Sequence, residues 1–91
     1  MIGIGVIGYG YWGPNLVRNF SEAAGSRVVA VSDLTRERLD RVSSRYPNVL
    51  TTTEASELID NPAVDAVAIA TPVSTHFDLS MRALEAGKHV W

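Results

Sequence analysis

The residues whose types and spacing could do chemistry lie near the start of the chain. Gly8-Tyr9-Gly10-Tyr11-Trp12-Gly13 has the pattern G-x-G-x-x-G. It follows an apolar run over 2–7 and precedes a stretch in which Leu16, Val17 and Phe20 share one helical face. Asp33 comes twenty residues after Gly13, at the end of a second apolar run. A glycine loop between strand and helix, followed at that distance by an acid, is the pattern of a dinucleotide site. Each glycine then has its own task. Gly8 allows the tight turn out of the strand, Gly10 lets the backbone approach a pyrophosphate, and Gly13 lets the helix pack against the sheet. The anion gains from unpaired N–H groups and the positive end of the helix dipole, with no lysine required. Pro14 falls in the first helical turn, where an amide has no intrahelical partner to lose. The plainer alternative is that the glycines only make a turn; the placing of Asp33 weighs against it. No Gly-Lys-Ser/Thr follows the glycines, so the loop is not of the Walker A type.

Asp33 can accept hydrogen bonds from both hydroxyls of an adenosine ribose, and its charge would repel a 2′-phosphate. That favours NAD over NADP as the cofactor. The competing reading is an acid that caps the next turn near Thr35. Arg36, three residues on, could stack on adenine or pair with a 2′-phosphate, or be a solvated helix residue. Thr71-Pro72 ends a later apolar run, next to the point where an open parallel sheet reverses its winding and where ligands bind. It could flank the cofactor or simply end a strand. His76 opens the following helix on the same sheet edge, without an acidic or serine partner in sequence. Tyr11 and Trp12 could lie over the cofactor or pack at the helix start. Lys88, the only lysine, is expected to end a helix electrostatically, and His89 to pack beside a buried strand.

The elements that must position these groups alternate. Strands are predicted over 2–7, 27–32, 49–52, 65–71 and 88–91. Helices are predicted from the glycine loop through Phe20, over 35–45 (with Leu39, Val42 and Tyr46 inward, ended by Pro47), from a Thr53 cap through Ile59, and from a Thr75–Asp78 capping box onward. That last helix is expected to bury Phe77, Met81 and Leu84, with Gly87 in the left-handed position after its last turn. Strands separated by helices imply right-handed βαβ crossovers, hence an α/β fold with a doubly wound parallel sheet in the order 3-2-1-4-5. The sheet is expected to be incomplete at its strand 5 edge, with association of copies through the strand ending at Trp91.

Composition narrows the function classes. The 91 residues are 46% hydrophobic and 20% charged, an ordinary globular balance for a single domain. Eight basic and ten acidic residues give a net charge of −2, which excludes a general nucleic-acid binder. With no cysteine and two histidines there is neither a disulfide framework nor a recognisable metal site. No apolar run reaches the ~20 residues that span a bilayer. The N-terminus has no basic region before its apolar run, so the expected address is cytoplasmic.

IGVIGYGYWGPNLVRNF, the acid at Asp33, then ATPVSTH and ALEAGKHVW resemble the N-terminal domain of the Gfo/Idh/MocA oxidoreductases over essentially the whole chain. The resemblance implies a Rossmann-type fold and hydride transfer between NAD(P) and a carbinol carbon of a sugar, polyol or sugar nucleotide. It implies that Gly8, Gly10 and Gly13, with the Tyr11–Trp12 backbone, hold the pyrophosphate and Asp33 the ribose. Thr71, Pro72 and His76 would line the nicotinamide side. In that family the Gly-Lys-His-Val strand runs on into Glu-Lys-Pro, whose lysine takes part in catalysis, whereas this sequence stops at Trp91. Residues 1–91 therefore resemble the cofactor domain of a two-domain chain, without catalytic residues of its own and with its sugar-like substrate held through the missing domain. Two other readings stand beside it: an S-adenosylmethionine-binding methyltransferase-type domain, and a non-catalytic nucleotide-binding module.

Overall fold

The computed structural model describes residues 1–91. Strands β1 (Ile2–Ile7), β2 (Ser26–Ser32), β3 (Leu50–Thr52), β4 (Ala66–Ile69) and β5 (His89–Val90) alternate with helices α1 (Gly13–Glu22), α2 (Arg36–Arg45), α3 (Ala55–Asp60) and α4 (Val73–Glu85). All four pairings are parallel and the sheet order is β3-β2-β1-β4-β5. This is the doubly wound, Rossmann-like arrangement expected from the alternation of elements. The central strand β1 has all but its first residue buried, as a strand covered on both faces must.

Two apolar clusters, one on each face of the sheet, hold the layers together. On one face Val6, Val17, Val31, Leu39 and Val42 join β1 and β2 to α1 and α2. On the other, Ile7, Leu58, Val67, Leu79 and Ala83 join the sheet to α3 and α4. Alternate residues of one strand serve opposite clusters, Val6 one and Ile7 the other, because successive strand side chains point to opposite faces. No helix is long and apolar enough to cross a membrane.

Several local expectations are corrected. α4 starts at Val73, with Pro72 as N-cap and no side-chain cap. The Thr75 hydroxyl, placed in a capping box from the sequence, instead donates to the Pro72 carbonyl at 2.7 Å. Proline fixes the turn out of β4, so the helix begins immediately after it. Its buried residues are Leu79 and Ala83, while Phe77 is 78% exposed and Met81 and Leu84 also face outward. The short Ala83 allows the helix to approach the sheet closely, and that contact decides which face is turned in. α3 is introduced by Thr52 rather than Thr53: the Thr52 hydroxyl accepts from the Glu54 N–H at 3.0 Å and donates to the Glu57 carboxylate at 2.9 Å. β4 is shorter than predicted, although its ladder continues through the Asp65 N–H to the Gly3 carbonyl and the Ala70 N–H to the Ile7 carbonyl. Gly87 has the left-handed backbone expected of it, φ 79°. His89 is exposed on the edge strand, not packed beside a buried one.

Lys88 does not sit on the end of α4. Its ammonium reaches across to donate to the carbonyls of Asn61 (2.8 Å) and Val64 (2.7 Å), tying the turn between α3 and β4 to the strand edge. Hydrogen bonds from a charged group contribute about 1.5–3 kcal/mol each when lost uncompensated. Lys88→Met is accordingly expected to destabilise the fold by about 2 kcal/mol, lowering the melting temperature by roughly 10 °C in a domain of this size. A circular-dichroism melt checks this; an unchanged midpoint would show that the turn does not need the tie.

Candidate cofactor-binding cleft

The glycine loop leaves the C-terminal end of β1 at the centre of the sheet. Gly8 has φ 98°, a conformation L side chains rarely adopt, and its N–H donates to the Ser32 carbonyl at 2.7 Å. A Cβ on Gly13 would run into the carbonyl oxygen of Gly8, so the start of α1 lies directly against the end of β1. α1 carries Pro14 in its first turn and has no side-chain cap at its N-terminus. The N–H groups of that first turn have no intrahelical acceptor and need one from elsewhere. Gly10 differs from its neighbours: the nearest atom to a Cβ there would be Nη1 of Arg38, at 3.3 Å, the tip of a flexible side chain.

Asp33 ends β2 beside this loop. It is buried, 8% exposed. One carboxylate oxygen accepts the Tyr9 N–H at 2.7 Å and the other the Thr35 N–H at 2.8 Å. The turn-capping role weighed from the sequence is therefore present, and the acid also braces the glycine loop. Each oxygen keeps a second lone pair, so the bonds to the backbone do not exhaust its capacity to accept. Arg38 Nη1 stands 3.6 Å from the same carboxylate, half exposed.

Two hollows meet at the loop. The first, about 720 Å³, is lined by Gly8, Gly10, Asp33, Leu34, Arg38 and Thr71 among others, and extends between α3 and α4. The second, about 680 Å³, is lined by Tyr11, Trp12, Pro72, His76 and Trp91. They share Arg38, Ala70, Thr71 and Pro72. The result is a trough of two lobes that meet at Arg38 and at Ala70, Thr71 and Pro72, the second bordered by Trp12, the N-cap of α1. That shape suits a molecule made of two halves joined by a doubly charged phosphate bridge.

The structure brings Gly8, Gly10, Asp33, Thr71 and Pro72 to the first lobe and Tyr11, Trp12, Pro72 and His76 to the second. Tyr11 and Trp12 are exposed and meet only edge to face, ring centroids 5.0 Å apart, so they are not core packing. His76 is half-buried, its Nε2 bonded to the Thr71 carbonyl at 2.7 Å. A carbonyl only accepts, so Nε2 carries the proton of that bond. Gly13 is buried behind the loop and lines neither lobe. Arg36 also lines neither: it is exposed at the first residue of α2, and the guanidinium beside the cleft belongs to Arg38. Sequence alone offers no means of choosing between two arginines two residues apart at a helix start. Ser32 was also missed. Its hydroxyl is buried at the floor of the first lobe without a hydrogen-bond partner. A serine within an apolar strand run, next to Asp33, was the available signal.

Tyr9 supports the loop from beneath. Burial pushes its phenol above the ordinary value of 10.0, Tyr46 adds to the shift, and Arg45 and Arg41 oppose it. A raised pKa in the folded state contributes stability that is present below the unfolded value and lost as the pH climbs through the folded one. The fold is therefore expected to weaken as pH rises above about 10, and Tyr9→Phe to lessen that loss. Melts of both forms between neutral and alkaline pH check this; identical alkaline slopes would contradict it.

A parallel doubly wound sheet with a glycine loop, an uncapped helix start and an acid at the end of β2 defines a dinucleotide-binding domain. Residues 2–91 match the family model described as oxidoreductase family, NAD-binding Rossmann fold, and the chain belongs to that family, Gfo/Idh/MocA. It is similar to the scyllo-inositol 2-dehydrogenase (NAD(+)) of Bacillus subtilis, 33% identical over 91 residues, covering 100% of this chain and 25% of the relative. Among solved structures it is similar to apo scyllo-inositol dehydrogenase from Lactobacillus casei, with TM-score 0.93 and 25% identity over 99% of this chain and 27% of that one. It is also similar to biliverdin reductase from Synechocystis, solved with biliverdin and NADP+, with TM-score 0.90 and 27% identity over 98% of this chain and 28% of that one. The chain thus spans about a quarter of the length of the relatives it matches.

Proposed function

We propose that these residues hold NAD, with NADP as the weaker alternative, for hydride transfer at a carbinol carbon of a polyol or sugar-like substrate. The observation that carries the reading is the joint placement of the uncapped start of α1, the bare backbone at Gly10 and the buried carboxylate of Asp33 along one trough. The first-turn N–H groups of α1 and the Tyr11–Trp12 backbone bind the pyrophosphate; Gly8 and Gly13 fix the loop that presents them. The remaining lone pairs of Asp33 accept the adenosine ribose hydroxyls, a role only a nucleotide with a free 2′-hydroxyl satisfies fully. Thr71, Pro72 and His76 line the lobe that takes the nicotinamide half, under the exposed rings of Tyr11 and Trp12. When bound, the nicotinamide ring supplies the hydride acceptor. The side chains of this domain orient that ring and exclude water. The inositol dehydrogenases among the relatives support a polyol as substrate class.

Thermal protection tests the reading. NADH at about 100 times its dissociation constant is expected to stabilise the fold by roughly 2.7 kcal/mol, and S-adenosylmethionine, which has no pyrophosphate, by nothing measurable. Protection by S-adenosylmethionine alone would overturn the proposal in favour of a methyltransferase-type site.

A further inference from the structure

Thr71 stands where the two lobes of the trough meet, and it borders both. Its methyl, hydroxyl and carbonyl each have a fixed neighbour. The methyl lies against Gly8, 3.0 Å from where a Cβ there would stand. The carbonyl accepts from His76 Nε2 at 2.7 Å. The hydroxyl lies 2.6 Å from that of Thr75, in the first turn of α4. Proton counting gives this last contact a direction. Thr75 has one hydroxyl proton, and it goes to the Pro72 carbonyl at 2.7 Å, an atom that only accepts. Between the two hydroxyls Thr75 is therefore the acceptor and Thr71 the donor. A hydroxyl has one proton and two lone pairs, so the Thr71 oxygen is left able only to accept.

The helix does not need this arrangement. The Thr75 N–H already closes the first turn of α4 on the Pro72 carbonyl at 3.0 Å, and the contact with Thr71 adds nothing to the helical ladder. What the arrangement does decide is which ligand group can sit on Thr71. Phosphate oxygens only accept, so this hydroxyl has no proton for a phosphate bridge at the junction of the lobes. It takes a bond from a group that donates. In the nicotinamide half the group next to the bridge is a ribose, whose hydroxyls donate. We propose that Thr75 is a positioning residue: by taking the Thr71 proton it turns Thr71 into an acceptor for a hydroxyl of the nicotinamide ribose, which holds the ring beyond it in the second lobe. The inference rests on the nucleotide reading of the cleft and adds to it a device, outside the glycine loop, that orients the reacting half of the cofactor.

The test is titration calorimetry of the full chain with AMP, ADP-ribose and NADH, with circular dichroism confirming the fold of each variant. AMP carries only the adenosine half, ADP-ribose adds the phosphate bridge and the second ribose, and NADH adds the ring. Thr75→Val, which keeps the shape and loses the hydroxyl, is expected to weaken ADP-ribose and NADH by roughly threefold to tenfold, the size of one neutral hydrogen bond, and to leave AMP within about twofold of wild type. Thr75→Ser keeps the hydroxyl and should bind all three as wild type does. Thr71→Val should weaken the same two ligands, and Thr71→Val combined with Thr75→Val should be no weaker than Thr71→Val alone, because Thr75 acts through Thr71. Additive losses in the double variant, equal weakening of AMP, or no change in Thr75→Val overturn the role of Thr75 while leaving the cofactor site intact. Weakening of NADH with ADP-ribose unaffected overturns the ribose as the donor, and so does wild type that binds ADP-ribose no more tightly than AMP. Folded wild type that binds none of the three overturns the nucleotide reading itself.

Discussion

Alanine at Gly13 and alanine at Gly10 are expected to fail in different ways. Gly13→Ala drives a methyl group into the carbonyl oxygen of Gly8, a backbone atom that cannot rotate aside. The start of α1 would have to lift from β1, and Val17, wholly buried on the inner face of that helix, would lose its packing. Overpacking and the accompanying backbone shift cost about 1–3 kcal/mol and more where nothing can yield. The better helix propensity of alanine returns at most about 1 kcal/mol. A net loss of about 3 kcal/mol is expected, a large part of the stability of a domain of this size. Gly10→Ala meets only the tip of Arg38, which can move, so the fold should melt within about 0.5 kcal/mol of wild type. The methyl would nevertheless stand where the pyrophosphate must approach, and nucleotide affinity is expected to fall by about 100-fold. Denaturant melts paired with nucleotide titrations separate the two effects. If Gly13→Ala melted normally, or Gly10→Ala bound nucleotide normally, the close contacts described for the loop would be wrong.

Asp33→Ala should damage both fold and site. Removing the carboxylate leaves the Tyr9 N–H without an acceptor in a buried position and the Thr35 N–H without one in a part-buried position. Each unsatisfied group costs about 1–3 kcal/mol, so a loss of about 3 kcal/mol is expected. Asp33→Asn keeps the side-chain shape and one acceptor oxygen, and should cost about half of that. The two variants are expected to share the same functional defect, since neither presents an anion to the ribose: NAD affinity lower by tenfold or more. Equilibrium unfolding of the two variants checks the order. Asn as damaging as Ala would mean that the charge, and not the acceptor geometry, holds the loop.

Much of the fold was legible because its signals are local. The apolar runs at β1 and β2, the glycine loop between them and the pattern of turns require parallel crossovers, and the order 3-2-1-4-5 follows from their handedness. α4 shows what is not local. It carries two apolar stripes, and by residue size Phe77, Met81 and Leu84 make the more obvious core. The sheet takes the other, because Leu79 and the small Ala83 let the helix sit down on Ile7 and Val67. The distance between layers decides this, and no periodicity within the helix reports it. The site divides in the same manner. Gly8, Gly10 and Asp33 were legible from spacing, since backbone geometry fixes where they lie. Arg38 and Ser32 were not, because their relevance depends on which way a side chain leaves a helix start or a strand end. Lys88 belongs with them: its partners, Asn61 and Val64, are more than twenty residues away and offer only backbone carbonyls, which sequence does not mark.

We propose that this trough binds a nicotinamide dinucleotide through the uncapped start of α1 and the carboxylate of Asp33. Isothermal titration calorimetry of NAD into wild type and into Asp33→Asn, both shown to be folded by circular dichroism, tests it most directly. The expected result is one-to-one binding by wild type, weakened about tenfold or more in the variant. Folded wild type that releases no heat of binding with NAD, or a variant that binds as tightly as wild type, would contradict it.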